Sequence, residues 1–431
     1  MVITRIKLWG DTVGAMYFDE QRGCCIFEYS PSWIAKGIEI SPLRLPLAPT
    51  LYQFPQLSEA TYKGMPGAFA DTLPDDFGNA VINAWLARQG RDPDSFSALE
   101  RLLYTGKRGM GALEYEPETA RLDQSSEIDL TSLTRMAQEV VDQRLGLSEQ
   151  LADGNQRNDQ AMQSILQVGT SAGGARAKAV IGINQDRTEV RSGQVDLPPG
   201  FEHYLLKFDG VVEHSRSQET FGDPQGYGRM EYAYYLMARD CGIEMMPCEL
   251  LEEGERAHFL TKRFDRIGNQ KVHYQSLCAM DHADYKRPGH YSYEQLFSVM
   301  RTLRLKRDEA LQQYRRMVFN IIARNHDDHT KNFGFILKQG GTWQLAPAFD
   351  VAYSYKPGSP WVNSHQLTLN GKRDQFERSD LLVPAESFRK QALQIIEQVQ
   401  DVVADWPTYA ARALVPESLA QEITAAHRLN L

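Results

Sequence analysis

Asn325-His326-Asp327-Asp328-His329-Thr330-Lys331-Asn332 is a run of eight polar residues set between two apolar elements. Before it, Leu311, Tyr314, Val318, Ile321 and Ile322 recur at helical spacing and predict one buried helix face. After it, Phe333–Leu337 and Trp343–Leu345 predict two short strands joined at Gly340-Gly341, a hairpin signal. The return strand leads to Phe349-Asp350-Val351. A loop this polar is ordinarily solvated surface. A carboxylate between two apolar neighbours is different, because burying it without a partner or a metal is costly.

The order helix, polar loop, hairpin, acid suits phosphoryl transfer. That chemistry needs a carboxylate to orient a hydroxyl and take its proton, and oxygen ligands to hold Mg²⁺ against phosphates. In the protein-kinase catalytic loop an Asn follows the catalytic Asp after four intervening residues, and Asp327 and Asn332 have that spacing. Asp350 then stands where a metal-binding Asp is delivered. Mg²⁺ prefers oxygen ligands and keeps some of its waters. A lysine at a strand end must reach the phosphates, and Lys207 in His203–Phe208 is in such a place, though a strand-end lysine is commonly just solvated. Glu231 opens the next helix. It would either face Lys207 or merely complement the positive helix N-terminus, and the residues alone favour the second slightly. Gly173 and Gly174, with Arg176 and Lys178 close behind, could bring backbone N–H groups to a phosphate or could be a plain flexible turn.

Other chemistries fit less well. His326, Asp327, Asp328 and His329 could ligate a transition metal in a phosphohydrolase, but that site needs further histidines, and none of the ten is placed convincingly. A serine hydrolase would want G-x-S-x-G, which is absent. Cys241 and Cys248 lack a nearby His partner and read as small apolar packing residues.

Around this centre the chain is ordinary globular protein: 431 residues, 42% hydrophobic and 24% charged, enough for two or three domains of roughly 150 residues. Net charge is −9, against the basic excess of a dedicated nucleic-acid binder. The five scattered cysteines fit reduced thiols and a cytoplasmic protein. No apolar stretch suits a signal peptide or a membrane span, so neither is expected. Residues 2–30 predict short strands, followed by a proline-rich stretch and a helix around Asn79–Gln89. A polar boundary at Glu116–Ile128 and a helix at Leu130–Gln143 come next. Val180–Ile183, His203–Phe208, Cys248–Glu252 and His258–Arg263 predict strands. Met230, Tyr234, Met237 and Cys241 mark one helix face, with Gly242 as its stop. The expected fold is α+β in three parts: a small α/β module at 1–125, a β-rich, protein-kinase-like lobe at 126–265, and an all-helical lobe at 266–431 that carries the catalytic loop.

The chain resembles the HipA-type serine/threonine kinases, toxins of bacterial type II toxin–antitoxin modules. The resemblance lies in Gly67-Ala-Phe-Ala-Asp71-Thr-Leu-Pro74-Asp75, Gly109-Met110-Gly111-Ala112-Leu113, Ser171–Lys178, Leu206-Lys207, Lys262–Arg266, Asp327–Phe333 and Phe349-Asp350, in that order. It implies an ATP- and Mg²⁺-dependent protein kinase. Asp327 would be the catalytic base, and Asn332 and Asp350 the metal ligands. Lys207 would touch the ATP phosphates opposite Glu231, while His329 and the loop glycines 173 and 174 would also lie against the nucleotide. The backbone of Lys262, Arg263 and Phe264 would form the adenine hinge. Ser171, or Thr170 beside it, would be autophosphorylated and so switch the kinase off, since a phosphate there would repel those of ATP. The resemblance also implies a protein substrate such as an aminoacyl-tRNA synthetase, and a helix-turn-helix antitoxin through which alone DNA would be met. A catalytically silent antitoxin-binding repressor partner is the alternative. Asp328 departs from the pattern, since a small residue such as glycine can lie there.

Overall fold

The computed structural model describes residues 2–119, 127–143, 165, 166, 169, 176–211 and 225–431. The first module is an antiparallel sheet in the order β4-β3-β2-β1-β5, formed by β1 (Ile3–Leu8), β2 (Asp11–Asp19), β3 (Cys24–Tyr29), β4 (Leu51–Tyr52) and β5 (Leu113–Glu116). In β1 the alternation is direct: Thr4, Ile6 and Leu8 are buried while Ile3 and Arg5 are exposed, the period of a half-buried strand. Ile6, Leu8, Phe27, Trp33 and Phe69 build its core.

The second sheet runs β7-β6-β8-β10-β9 and consists of β6 (Lys178–Asn184), β7 (Val190–Ser192), β8 (Phe201–Lys207), β9 (Cys248–Glu253) and β10 (Arg256–Lys262). Six of the seven β6 residues are buried, so both faces of that strand are covered. Part of the cover comes from the helix Leu130–Gln143 through Leu133, Met136 and Val140. Another part comes from the helix Asp76–Arg88, whose Phe77, Val81, Ile82 and Leu86 join the same core. Although this helix lies within the first 125 residues, its apolar face belongs to the second sheet. Asp75 starts it, accepting the Gly78 N–H at 2.5 Å as an N-cap.

The third core is helical. Met230, Tyr234 and Met237 of the helix Tyr227–Asp240, and Cys241 that caps its C-terminus, are all fully buried and point into it. They meet Tyr314, Val318, Ile321 and Ile322 of the helix Arg307–Ile322 and residues of Tyr293–Thr302 and Arg389–Ala404. The helix Tyr227–Asp240 thus bridges two lobes, and Gly228 lets it do so. A Cβ there would lie 2.0 Å from the carbonyl oxygen of Ala257 in β10, so only glycine permits the approach. The helical lobe also carries a small sheet, β13 (His273–Ser276), β14 (Gly334–Leu337) and β15 (Trp343–Leu345), beside a two-stranded ribbon of β11 (Arg266–Ile267) and β12 (Gln270–Lys271). All five cysteines are buried and unpaired. No helix among the described residues is long and apolar enough to cross a membrane.

The first module and the kinase-like lobe are joined through a buried ionic knot. Asp265 accepts from Arg263 at 2.8 and 2.6 Å, from Arg266 at 2.9 Å and from the Gly111 N–H at 2.8 Å. Arg266 in turn donates to the carbonyls of Gly109 and Gly111. Burial opposes ionisation of Asp265, but Arg263 and then Arg266 hold its carboxyl well below the usual range. Asp265→Ala would leave two guanidinium groups buried without their anion, and we expect a loss of about 3–5 kcal/mol in urea unfolding. The depressed carboxyl also fixes the sign with pH. Its contribution is full above the unfolded carboxylate pKa of about 3.9 and fades as pH falls below it, so the gap between wild type and Asp265→Ala should narrow in acid.

Candidate active site

Lys207 ends β8, and a residue at a strand end projects where the sheet meets the next element. Its ammonium sits 2.5 Å from Glu231 on the helix Tyr227–Asp240 and also pairs with Asp350. The side chains of Lys207 and Glu231 are 6% and 4% exposed, so neither is a solvated surface charge, and Glu231 does more than complement a helix end. Burial alone would pull the Lys207 ammonium down, but Asp350 and Glu231 together push it well above the ordinary lysine value. Glu231 is shifted upward, burial outweighing the pull of Lys207. Asp350, opposed by burial, is held well below the usual carboxylate range by Lys207 and then by Lys178. Its backbone has φ of 52°, a left-handed conformation that aspartate tolerates better than most residues.

Asn332 closes a short 3₁₀ turn, Thr330–Asn332, and lines one small cavity together with Asp350, Asp328 and Phe333. Its amide NH₂ donates to the Asp327 carbonyl at 2.7 Å. That bond fixes which end of the amide is which and leaves the oxygen as the group available to a cation. The donor set fits Mg²⁺: an amide oxygen and a carboxylate beside one cavity, with two carboxylates sharing one ammonium nearby. Among the described residues no three His, Cys, Asp or Glu side chains gather into a metal site of their own.

The loop from Asn325 to Asn332 is not the solvated surface its polarity suggests. Asn325, His326, Asp328 and Thr330 are each at most 3% exposed. Asp328 is an anchor, accepting from Tyr293 Oη at 2.7 Å, His365 Nδ1 at 2.8 Å and the Gln366 N–H at 2.7 Å. This explains an acid where a small residue can stand. His326 is fully buried, its Nδ1 3.2 Å from the Val362 carbonyl and its ring packed at a 40° tilt against that of His365. Burial drives it far below the usual histidine value, so it is a neutral packing residue. The phosphohydrolase reading needs His326 and Asp327 turned to one metal with further ligands, and no such cluster forms among the described residues. Asp327 itself keeps a third of its side chain exposed and accepts the Trp361 indole N–H at 2.8 Å on Oδ1. His329 Nε2 lies 3.7 Å from that oxygen, and its ring packs near Tyr285 and Trp361.

Lys207, Glu231, Asp350, Asn332 and Asp327 are therefore brought together. Of the residues expected to form the hinge, Lys262 and Arg263 already donate their backbone N–H groups to Pro247 and His203, and the Arg263 side chain is tied to Asp265. The Phe264 ring packs against Tyr274 and Phe349, the neighbour of Asp350. Thr170, Ser171, Gly173 and Gly174 lie outside the described residues. Two contributions were not legible beforehand. Asp75, from the first module, meets Lys178 at 3.7 Å with both side chains 4% exposed, and burial pushes it up to about 7. Trp361 is the other; a single large aromatic in the polar stretch Lys356–Ser364 was the signal that could have found it.

A β-rich lobe and a helical lobe, with a buried lysine–glutamate pair between them, define a protein-kinase-like fold. The chain belongs to the HipA family: residues 4–116 match the HipA N-terminal domain and residues 170–406 the HipA-like C-terminal domain. Among solved structures it is similar to a chain of the Shewanella oneidensis MR-1 toxin–antitoxin complex of HipA, HipB and operator DNA. Identity is 16% over 98% of this chain and 94% of that chain, with a TM-score of 0.63. At that identity the likeness is one of fold. The Helicobacter pylori proinflammatory kinase CtkA matches at 13% identity over 59% of this chain and 89% of that chain, with a TM-score of 0.36, too low to support any inference.

Proposed function

We propose that this chain is an ATP- and Mg²⁺-dependent protein serine/threonine kinase and the toxin of a type II pair. The observation that carries the reading is the buried Lys207–Glu231 pair, joined by the partly exposed Asp350, beside Asn332 and Asp327. Bound MgATP would supply the transferable phosphoryl group and the cation that neutralises its charge. Lys207, held by Glu231, orients toward the phosphates. Asn332 and Asp350 hold the cation through oxygen. Asp327 orients the acceptor hydroxyl and takes its proton. Because the amides of Lys262 and Arg263 are engaged within the protein, hinge contacts to the base fall to Phe264 and neighbouring carbonyls. His329, whose Nε2 is 3.7 Å from Asp327 Oδ1, would lie against the same nucleotide. On the family resemblance, the acceptor is a component of translation such as an aminoacyl-tRNA synthetase, and Ser171 or Thr170 is the site of self-modification. A HipB-like, DNA-binding antitoxin is the proposed partner, as in the assembly of the similar Shewanella protein.

The test is intact-mass analysis after incubation with Mg²⁺ and ATP, followed by peptide mapping of residues 161–180. The reading predicts one added phosphate, on Ser171 or Thr170. Nucleotide binding with no transfer to any protein would favour the silent repressor partner instead.

A further inference from the structure

Three consecutive residues of the catalytic loop are each fastened to one later segment. His326 Nδ1 meets the Val362 carbonyl at 3.2 Å. Asp327 Oδ1 accepts the Trp361 indole N–H at 2.8 Å. Asp328 takes His365 Nδ1 at 2.8 Å and the Gln366 N–H at 2.7 Å. The segment is itself held: the Trp361 and Val362 amides both donate to Ser359 Oγ at 3.2 Å, and Gln366 Nε2 donates to the Trp361 carbonyl. The outer two fastenings lie at residues no more than 1% exposed and read as packing. The middle one differs. It reaches a carboxylate whose side chain is 34% exposed, so this is not a group that burial alone obliges the protein to pair.

We propose that Trp361 is the positioning residue of the catalytic carboxylate. This rests on the kinase reading above. A carboxylate has two oxygens and a freely turning terminal torsion. An N–H fixed on Oδ1 sets that torsion and leaves Oδ2 directed to the acceptor hydroxyl. A catalytic group held in place by a neighbour with a locked side chain avoids reorganisation during the reaction. His329 cannot do this, since its Nε2 is 3.7 Å from the same oxygen, beyond hydrogen-bond reach.

Two substitutions separate the N–H from the ring. Trp361→Phe keeps an aromatic ring and removes the donor. Benzothienylalanine in place of Trp361 keeps the full bicyclic shape and puts sulfur where the N–H was. Both are compared with wild type for the rate of ³²P incorporation into the full chain from labelled MgATP at varied ATP. The expected result is a fall of about tenfold to a hundredfold in the maximal rate for both, with half-saturating ATP and the thermal midpoint unchanged. A benzothienyl variant that transfers at the wild-type rate overturns the proposal, even if Trp361→Phe is slow, because the ring alone would then matter. A fall in rate matched by falls in ATP affinity and thermal midpoint also overturns it, because Trp361 would then be holding the fold. Wild-type protein that incorporates no phosphate and transfers none to any other protein refutes the kinase reading itself, and this inference with it.

Discussion

Asp327→Asn should slow phosphoryl transfer by about 10²–10⁴-fold, the range that a lost general base commonly costs. Asparagine has the same shape and can still accept the Trp361 N–H through its amide oxygen, so the local geometry should persist. The Asn332 bond goes to the main-chain carbonyl of residue 327 and does not depend on the side chain. What is lost is the ability to take a proton. Nucleotide affinity and unfolding free energy should therefore stay near wild type while the rate of ³²P incorporation collapses. Transfer by the variant at the wild-type rate would remove Asp327 from its role.

Lys207→Met has a different signature, because Lys207 holds two carboxylates. Methionine fills much the same volume but leaves Glu231 and Asp350 without their common cation. Asp350, with 30% of its side chain exposed, can turn to water. Glu231, with 4% exposed, cannot. Removing one partner of a buried pair costs about 3–5 kcal/mol, and the exposure of Asp350 argues for the lower end. The penalty should depend on pH with a definite sign. Glu231 already ionises less readily than an ordinary glutamate because of burial, and without Lys207 it shifts further up. A carboxyl raised in the folded state favours folding below its unfolded value of about 4.3 and loses that advantage as pH rises through the folded value. The deficit of Lys207→Met relative to wild type should thus be larger at pH 8 than at pH 5. Nucleotide binding should fall with it at every pH. Urea titrations at the two pH values give the first result and calorimetric titration with MgATP the second.

How much of this was readable in the sequence follows from the range of the interactions involved. The stripe Met230, Tyr234, Met237, Cys241 was legible because helical periodicity is local, and all four are fully buried. The Asp327–Asn332 spacing was legible for the same reason: one tight turn brings the Asn332 amide back to the Asp327 carbonyl. The burial of the loop around them was not. Tyr293, His365 and Gln366, which satisfy Asp328, lie 35 to 38 residues away, and a polar residue carries no mark of a distant partner. Nor could the pattern of Asp76–Arg88 say which sheet its apolar face would cover. Arg263 reads as part of a hinge and Asp265 and Arg266 only as the motif that follows it, while the side chains of Asp265 and Arg266 bind two modules together through Gly111 and Gly109. The Lys207–Glu231 contact needed the fold, because a strand lysine and a helix glutamate have innocent roles that sequence alone does not exclude.

The most direct measurement is a crystal structure of the full chain grown with Mg²⁺ and a non-hydrolysable ATP analogue. The account predicts the cation bound by the Asn332 amide oxygen and an Asp350 carboxylate oxygen at about 2.0–2.1 Å. It also predicts Lys207 on the phosphates, and Asp327 facing the end of the triphosphate. A nucleotide bound elsewhere, or a cation that ignores both Asn332 and Asp350, would contradict it.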